Sequence, residues 1–349
     1  MKRRWCLIIG LLVTLLLVVE MAGAAAKKPS GVAELALYKG ADRQQILEEG
    51  ARKEGTLTFY TSGTWARFLV EAFQKKFPFI KVNSWRGGGD TLMPRVLEEY
   101  RAGKHLVDVI ELTQAGEILM KEEGILQPYF SPNLAFIDDG ALIKARGEGV
   151  YAAAFRASGI GLGFNTKLLT RDQAPKTYKD LLNPKWKKMM AMVGSNTGMD
   201  FVEALLHAHG EDFLKELAKQ EIDVHSVSGR ALSEMVINGE YSLSPTIYDS
   251  HVFEAKKKGA PIDWIPLEPV FVHLGQVVLP KHSAHPHAAL LFIDFDLSKE
   301  AADIYKASGY NSLRKDVPAL FAYKKHYGAA NLDELKRAQE LFNKLFLKK

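Results

Sequence analysis

From residue 55 onward, short apolar runs trade places with stretches whose apolar positions recur every three or four residues. The first pattern is that of a strand and the second that of an amphipathic helix. Leu57–Tyr60 reads as a strand, and Trp65, Phe68, Leu69, Ala72 and Phe73 mark one face of the helix after it. Ile80–Trp85 predicts a second strand, followed by a helix carrying Leu92, Val96, Leu97 and Tyr100, with Asp90 as its N-cap. Asp108–Leu112 predicts a third strand, and the next helix runs through Met120 and stops near Gly124. This βαβαβ order places the chain in the α/β class, with a parallel sheet covered by helices. Upstream, residues 33–53 form a helical lead-in with Leu35, Ile46 and Leu47 as apolar contacts.

A second alternating block begins after Tyr151. Gly159–Asn165 and Met189–Val193 predict strands, with a short helical segment over Tyr178–Lys187 between them. Phe201, Ala204, Leu205 and Ala208 stripe one helix, and Leu232, Met235 and Val236 another. Leu243–Ile247, Ile262–Leu267 and a long Val270–Leu279 read as strands. Ala288, Leu291, Phe292 and Phe295 mark a helix that Pro286 opens, and Leu332–Leu347 is a further amphipathic helix. Two blocks with a returning segment predict two lobes around a cleft, the kind of interface that favours ligand sites. The expected division is lead-in 27–54, first lobe 55–154 plus 275–349, and second lobe 155–274.

The first 26 residues break the pattern. Lys2, Arg3 and Arg4 precede an apolar run from Cys6 to Val19, and the small residues Ala22–Ala26 follow. This is the order of a cleaved secretory signal. The run is short for a membrane span, and Cys6 stands before it rather than after, where a lipid-anchored protein would carry it. Cleavage removes the only Cys of 349 residues and lowers the formal charge from +5 to +3, through loss of Lys2, Arg3, Arg4 and Glu20. A cysteine-free exported chain needs no disulfide chemistry. The expected address is the periplasm. A single Cys also excludes a zinc finger, and the modest charge without a basic stripe speaks against a nucleic-acid binder.

Candidate chemistry sits in the loops after strands. Thr61, Ser62, Gly63 and Thr64 open the first helix, where unpaired N–H groups could receive an anion or simply be capped. Arg86, Gly87, Gly88 and Gly89 follow the second strand; the glycines allow close approach to a ligand and Arg86 could pair with it. Ser195–Thr197 and Ser228–Arg230 repeat the arrangement in the second block, and Thr113 joins the expected ligand set. Arg156, on the expected crossover, could neutralise an anion or form a surface salt bridge. His282, His285 and His287 lie in one loop, while His207 and His209 point to different sides of a helix, so neither group predicts a metal site. Lys256–Lys258 reads as a solvated helix face. Gly159, Gly161 and Gly163 lack the continuation of a dinucleotide fingerprint, and no P-loop, nucleophile elbow or zinc-protease motif occurs.

Several segments resemble the bacterial extracellular solute-binding proteins that capture substrates for ABC importers, in the branch containing the ferric-ion-binding proteins. They are Leu37–Arg43, Ala51–Ser62, Asp108–Leu112, Gly161–Thr166, Leu181–Trp186 and Lys257–Pro261. The resemblance implies a two-lobed type II fold, a hinge of two crossover strands and a ligand clamped between the lobes. It also implies ligand contacts at Ser195–Thr197 and near Tyr248. In ferric-binding relatives adjacent tyrosines at about that place ligate iron, whereas here Tyr248 follows Pro245, Thr246 and Ile247, so the pair is broken. The hydroxyl- and Gly-rich helix starts and the arginines make a small anion such as a phosphonate, sulfonate or carboxylate the expected solute, with iron(III) as the alternative cargo. An exported enzyme or a sensor-coupled receptor is a further alternative. No catalytic residue and no resident cofactor is expected; the expected partner is an inner-membrane permease, and the expected state is a monomer.

Overall fold

The computed structural model describes residues 29–347 except 64, 88 and 330; the signal segment, Thr64 and Gly88 lie outside the described residues. The lead-in is two helices, α1 (Val32–Leu37) and α2 (Arg43–Glu54), rather than one. Helix α2 ends where Gly55 takes a left-handed φ of 68°. Then come β1 (Thr56–Thr61), α3 (Ala66–Lys76), β2 (Lys81–Arg86), α4 (Gly89–Arg101), β3 (Val109–Leu112) and α5 (Gln114–Glu122). Strand β1 pairs in parallel with both β2 and β3, as the βαβαβ pattern requires. Leu57 and Phe59 of β1 enter one apolar cluster and Tyr60 enters another, so this sheet is buried on both faces. Phe73 and Phe59 both meet Phe292 at ring-centroid distances of 4.9 Å. Helix α3 buries Trp65, Leu69 and Phe73, but Phe68, expected on the same face, is 44% exposed. The i, i+4 ridge faces the sheet and Phe68 falls beyond its edge. Helix α4 begins at Gly89, so Asp90 lies inside the helix rather than at its N-cap.

Short strands β4 (Leu126–Gln127) and β5 (Leu142–Lys144) lead to β6 (Val150–Asn165), a continuous strand of 16 residues. Only its second half was legible as a strand, because Ala152–Ala154 and Phe155 are buried without alternation. Next come β7 (Ala191–Val193), α6 (Asn196–Ala218), β8 (Asp223–His225), α7 (Gly229–Asn238), β9 (Leu243–Tyr248), α8 (Asp249–Lys257) and β10 (Ile262–Ile265). The chain then enters β11 (Val270–Pro280), α9 (Pro286–Asp296), α10 (Lys299–Ala307), β12 (Asn311–Ser312), β13 (Lys325–His326) and α11 (Leu332–Leu345). The expected helix over Tyr178–Lys187 is two 3-10 turns, split where Pro184 follows Asn183. Helix α6 is broken at Gly210, which has φ 78°.

Strands β6 and β11 run antiparallel and are the long struts of the molecule. Ala152–Gly159 pair with Val272–Val278, and β11 also pairs with β3, which ties the struts to the first sheet. Beyond Gly159 strand β6 pairs instead with β9 and β10, and so enters the second sheet. One apolar cluster surrounds Trp65, Phe59, Phe73 and Phe292 and continues to Val236, Ile247 and Trp264 of the second block, and another surrounds Trp186, Phe201, Leu205 and Leu243. Helix α11 belongs with the second: Leu341 and Phe342 are buried in that cluster, and a Cβ on Gly198 of α6 would lie 2.9 Å from the Phe342 ring. Residues 332–345 therefore pack mainly on α6 of the second block and to a lesser extent on α5 of the first, although the expected boundary placed 275–349 in the first lobe.

Because Phe342 is only 1% exposed and fills this seam, Phe342→Ala is expected to cost about 3–5 kcal/mol of stability. Denaturant unfolding measures it.

Candidate functional site

Between the struts and the first sheet lies a buried, multiply bonded carboxylate. Glu111 on β3 is 0% exposed and accepts four hydrogen bonds. Thr61 Oγ1, the Ser62 amide and Ser62 Oγ donate to one oxygen at 2.8, 2.7 and 3.0 Å. Arg156 Nη2 on β6 donates to the other at 2.6 Å. Burial pushes the Glu111 pKa up, but the Arg156 charge and these donors outweigh it and hold the carboxyl below its ordinary value. Arg156 is thus an internal ion-pair partner rather than a surface one, and its guanidinium also faces the rings of Tyr310, Trp65 and Phe155 at 4.7, 5.4 and 5.7 Å. Its Nε is buried without a partner.

In front of this pair lies a cavity of about 210 Å³ where the struts leave the first sheet. Ser62 and Gly63 reach it from the loop after β1, Arg156 and Ser158 from β6, and His273 from β11. Arg230 on α7, Tyr248 at the end of β9, Ser250 and His251 on α8, and Tyr310 complete the wall. The Tyr248 hydroxyl shares a hydrogen bond of 2.9 Å with Thr197 Oγ1. Burial raises the Tyr248 and Tyr310 phenols and depresses His251 to about 4, which leaves that imidazole neutral at pH 7. Ser158 and Ser250 are anchored from behind by Asp249: Ser158 Oγ donates to it at 2.8 Å, the Ser250 amide at 2.7 Å and Tyr323 at 2.9 Å. Burial raises Asp249 to about 6.

A second, smaller chamber of about 40 Å³ shares His273 as a wall. Thr113, Asn196, Asp200 and Glu203 supply its polar lining. Asp200 Oδ2 stands 3.7 Å from His273 Nδ1, and Glu203 pairs with His326 at 2.8 Å.

Of the residues singled out in the sequence, Ser62, Gly63, Arg156, Arg230 and Tyr248 meet at the larger cavity, and Thr113 and Asn196 at the smaller. Thr61 and the loop amides are engaged internally, since Gly63 N–H donates to Thr61 Oγ1 at 2.9 Å. Arg86 is exposed, and neither Arg86 nor Gly87 lines either cavity. Ser195 is exposed at the start of α6, and Ser228 caps α7 by accepting from the Ala231 amide at 3.1 Å. Gly229 packs close to His251. Arg230 is paired with Glu254 at 2.8 Å. Sequence reasoning missed Tyr310, His251, His273, Ser158, Ser250 and Asp200. A charged residue inside an otherwise apolar strand, as at Glu111, was the one visible signal of the ion pair. Two of the loop histidines have carboxylate neighbours: His285 pairs with Asp108 at 2.9 Å and His287 with Glu54 at 2.6 Å. These are separate pairs, and among the described residues no group of three His, Cys, Asp or Glu could hold a metal.

A family model for the bacterial extracellular solute-binding proteins matches residues 69–331. The chain belongs to that family. Its members deliver ligands to ABC permeases and work in extracellular or periplasmic space, and this is a binding protein of that kind. An uncharacterized protein of Haemophilus influenzae is 26% identical over 268 residues, spanning 73% of this chain and 76% of the relative. Iron-bound HitA from Pseudomonas aeruginosa superposes with a TM-score of 0.70 at 24% identity, over 84% of this chain and 99% of its own. AfuA from Actinobacillus pleuropneumoniae, solved with fructose-6-phosphate, gives 0.68 at 22%, again over 84% and 99%. The polyamine-transporter protein PotD from Streptococcus pneumoniae gives 0.66 at 15%, over 83% and 98%. These likenesses establish the type II periplasmic-binding-protein fold.

Two outcomes follow from the buried charges. Glu111→Gln leaves Arg156 buried without a counter-charge and is expected to cost about 3–5 kcal/mol, read by urea unfolding at neutral pH. Asp296, buried and accepting from Tyr305, is raised to about 8 by desolvation. An acid raised on folding contributes stability that is full below its ordinary pKa near 3.8 and is lost as pH rises through about 8. The fall in unfolding free energy between pH 5 and 8 is therefore expected to be shallower in Asp296→Asn.

Proposed function

We propose that this protein is the exported capture subunit of an ABC importer for a small anion, a phosphonate, sulfonate or carboxylate held in the cavity in front of Arg156. The wall composition carries this reading: two arginines, two tyrosines, two histidines and three serines, with no carboxylate among the lining residues. Ser62 and Ser158 already donate to Glu111 and Asp249, so the arginines, tyrosines and histidines are the main donors this wall leaves to an oxyanion, and it holds nothing to neutralise a cation. Binding closes the lobes about the two struts, and the closed form is handed to the permease in the inner membrane. The protein acts as a monomer after signal cleavage and catalyses nothing.

Iron(III) is the second reading, and one observation favours it: Tyr248 and Tyr310 share the cavity although the adjacent tyrosine pair is absent. Against it, both phenols are raised by burial, and the wall has no carboxylate to ligate a trivalent cation.

The test is thermal unfolding of the mature chain, stripped by unfolding and refolding, with ethylphosphonate, ethanesulfonate, propionate, phosphate and ferric citrate. A ligand at 100 times its Kd adds about 2.7 kcal/mol to the folded state. One anion class is expected to raise the midpoint, and Arg156→Lys, which keeps the charge opposite Glu111 but loses the planar fork, is expected to weaken that anion at least tenfold. A shift with iron alone, accompanied by a visible phenolate-to-iron band, would replace the anion by the metal.

A further inference from the structure

The two chambers that meet at His273 have opposite chemistry. The larger is lined by donors, whereas the smaller has an apolar side of Phe271, Val272, Leu274 and Leu335 and a polar side with the carboxylates of Asp200, beside His273, and Glu203, paired with His326, together with Asn196 and Thr113. Its volume of about 40 Å³ holds one water-sized group, given that a liquid water occupies about 30 Å³. Tyr248 lies between the two chambers: its hydroxyl bonds at 2.9 Å to Thr197, one turn before Asp200 on α6, and its ring centroid is 5.7 Å from that of His273.

The charge balance points the same way. Arg156 is matched by Glu111 at 2.6 Å and Arg230 by Glu254 at 2.8 Å, while His251 is neutral. The donor side therefore supplies hydrogen bonds without a surplus positive charge. A ligand with a large net negative charge would enter uncompensated, whereas one carrying its own cation at the Asp200 end would not.

Resting on the anion reading above, we infer that the solute is a small zwitterion: its anionic head meets Arg156, Arg230 and Tyr310, and its ammonium group occupies the chamber of Asp200 and Glu203. An ammonium is a compact three-donor cation and suits that acceptor-lined space, as a hydroxyl or methyl group of similar size does not.

Isothermal titration of the refolded mature protein with matched trios tests this. The trios are taurine, isethionate and ethanesulfonate; 2-aminoethylphosphonate, 2-hydroxyethylphosphonate and ethylphosphonate; and β-alanine, 3-hydroxypropionate and propionate. Within the trio whose head group binds, the amino member is expected to bind at least tenfold more tightly than the other two. Asp200→Asn is expected to abolish that ratio. Equal affinities across a binding trio, or a preference for the hydroxyl member, would overturn the zwitterion and leave the anion reading standing. No binding in any trio would overturn both. The wild-type ratio needs no variant, so a poorly folding Asp200→Asn does not shield the inference.

Discussion

The pairing of Glu111 with Arg156 is the constraint on which the arrangement of this molecule depends. It joins β3 in the first sheet to the strut that passes into the second, and the same carboxylate fastens the loop after β1. A buried ion pair is weak evidence for net stability, since desolvation offsets much of the attraction. It is strong evidence for registry: with all four donors converging on one carboxylate, slipping β6 against β3 would bury uncompensated charges. The aromatic packing of Trp65, Phe155 and Tyr305 around the guanidinium closes the pair off from water.

That arrangement changes where ligand donors can come from. The loop after β1 has the composition of an anion-binding helix start, but its amides and hydroxyls are already directed inward, to Glu111 and Thr61. An internal carboxylate occupies the position an incoming anion would otherwise fill. The groups facing the larger cavity come mainly from the struts, the second sheet's helices and Tyr310. The struts therefore do two things at once: they link the lobes mechanically, and through Arg156, Ser158 and His273 they form one wall of the cavity.

Much of the fold was legible because its signals are local. The parallel order of β1, β2 and β3, the helices between them and the return of β11 all follow from hydrophobic period and from the right-handed crossover rule. Reading failed where both faces of an element are buried or where a helix edge meets solvent, as at the first half of β6 and at Phe68. It also failed for α11, whose amphipathic stripe predicts a buried face but does not say which core receives it.

The sequence by itself determined the α/β class, the order of the elements, the export segment as an expectation and the resemblance to solute-binding proteins. Those properties depend on neighbours within a few residues, or on segments recurring in a fixed order. Tertiary structure alone decided that Arg156 faces Glu111 across 45 residues, that Tyr248 and Tyr310 share a cavity, and that His326 reaches Glu203 across 123 residues. Hydrogen bonds and charges act over a few ångströms, and only the folded path of the backbone brings residues so distant along the chain within that range.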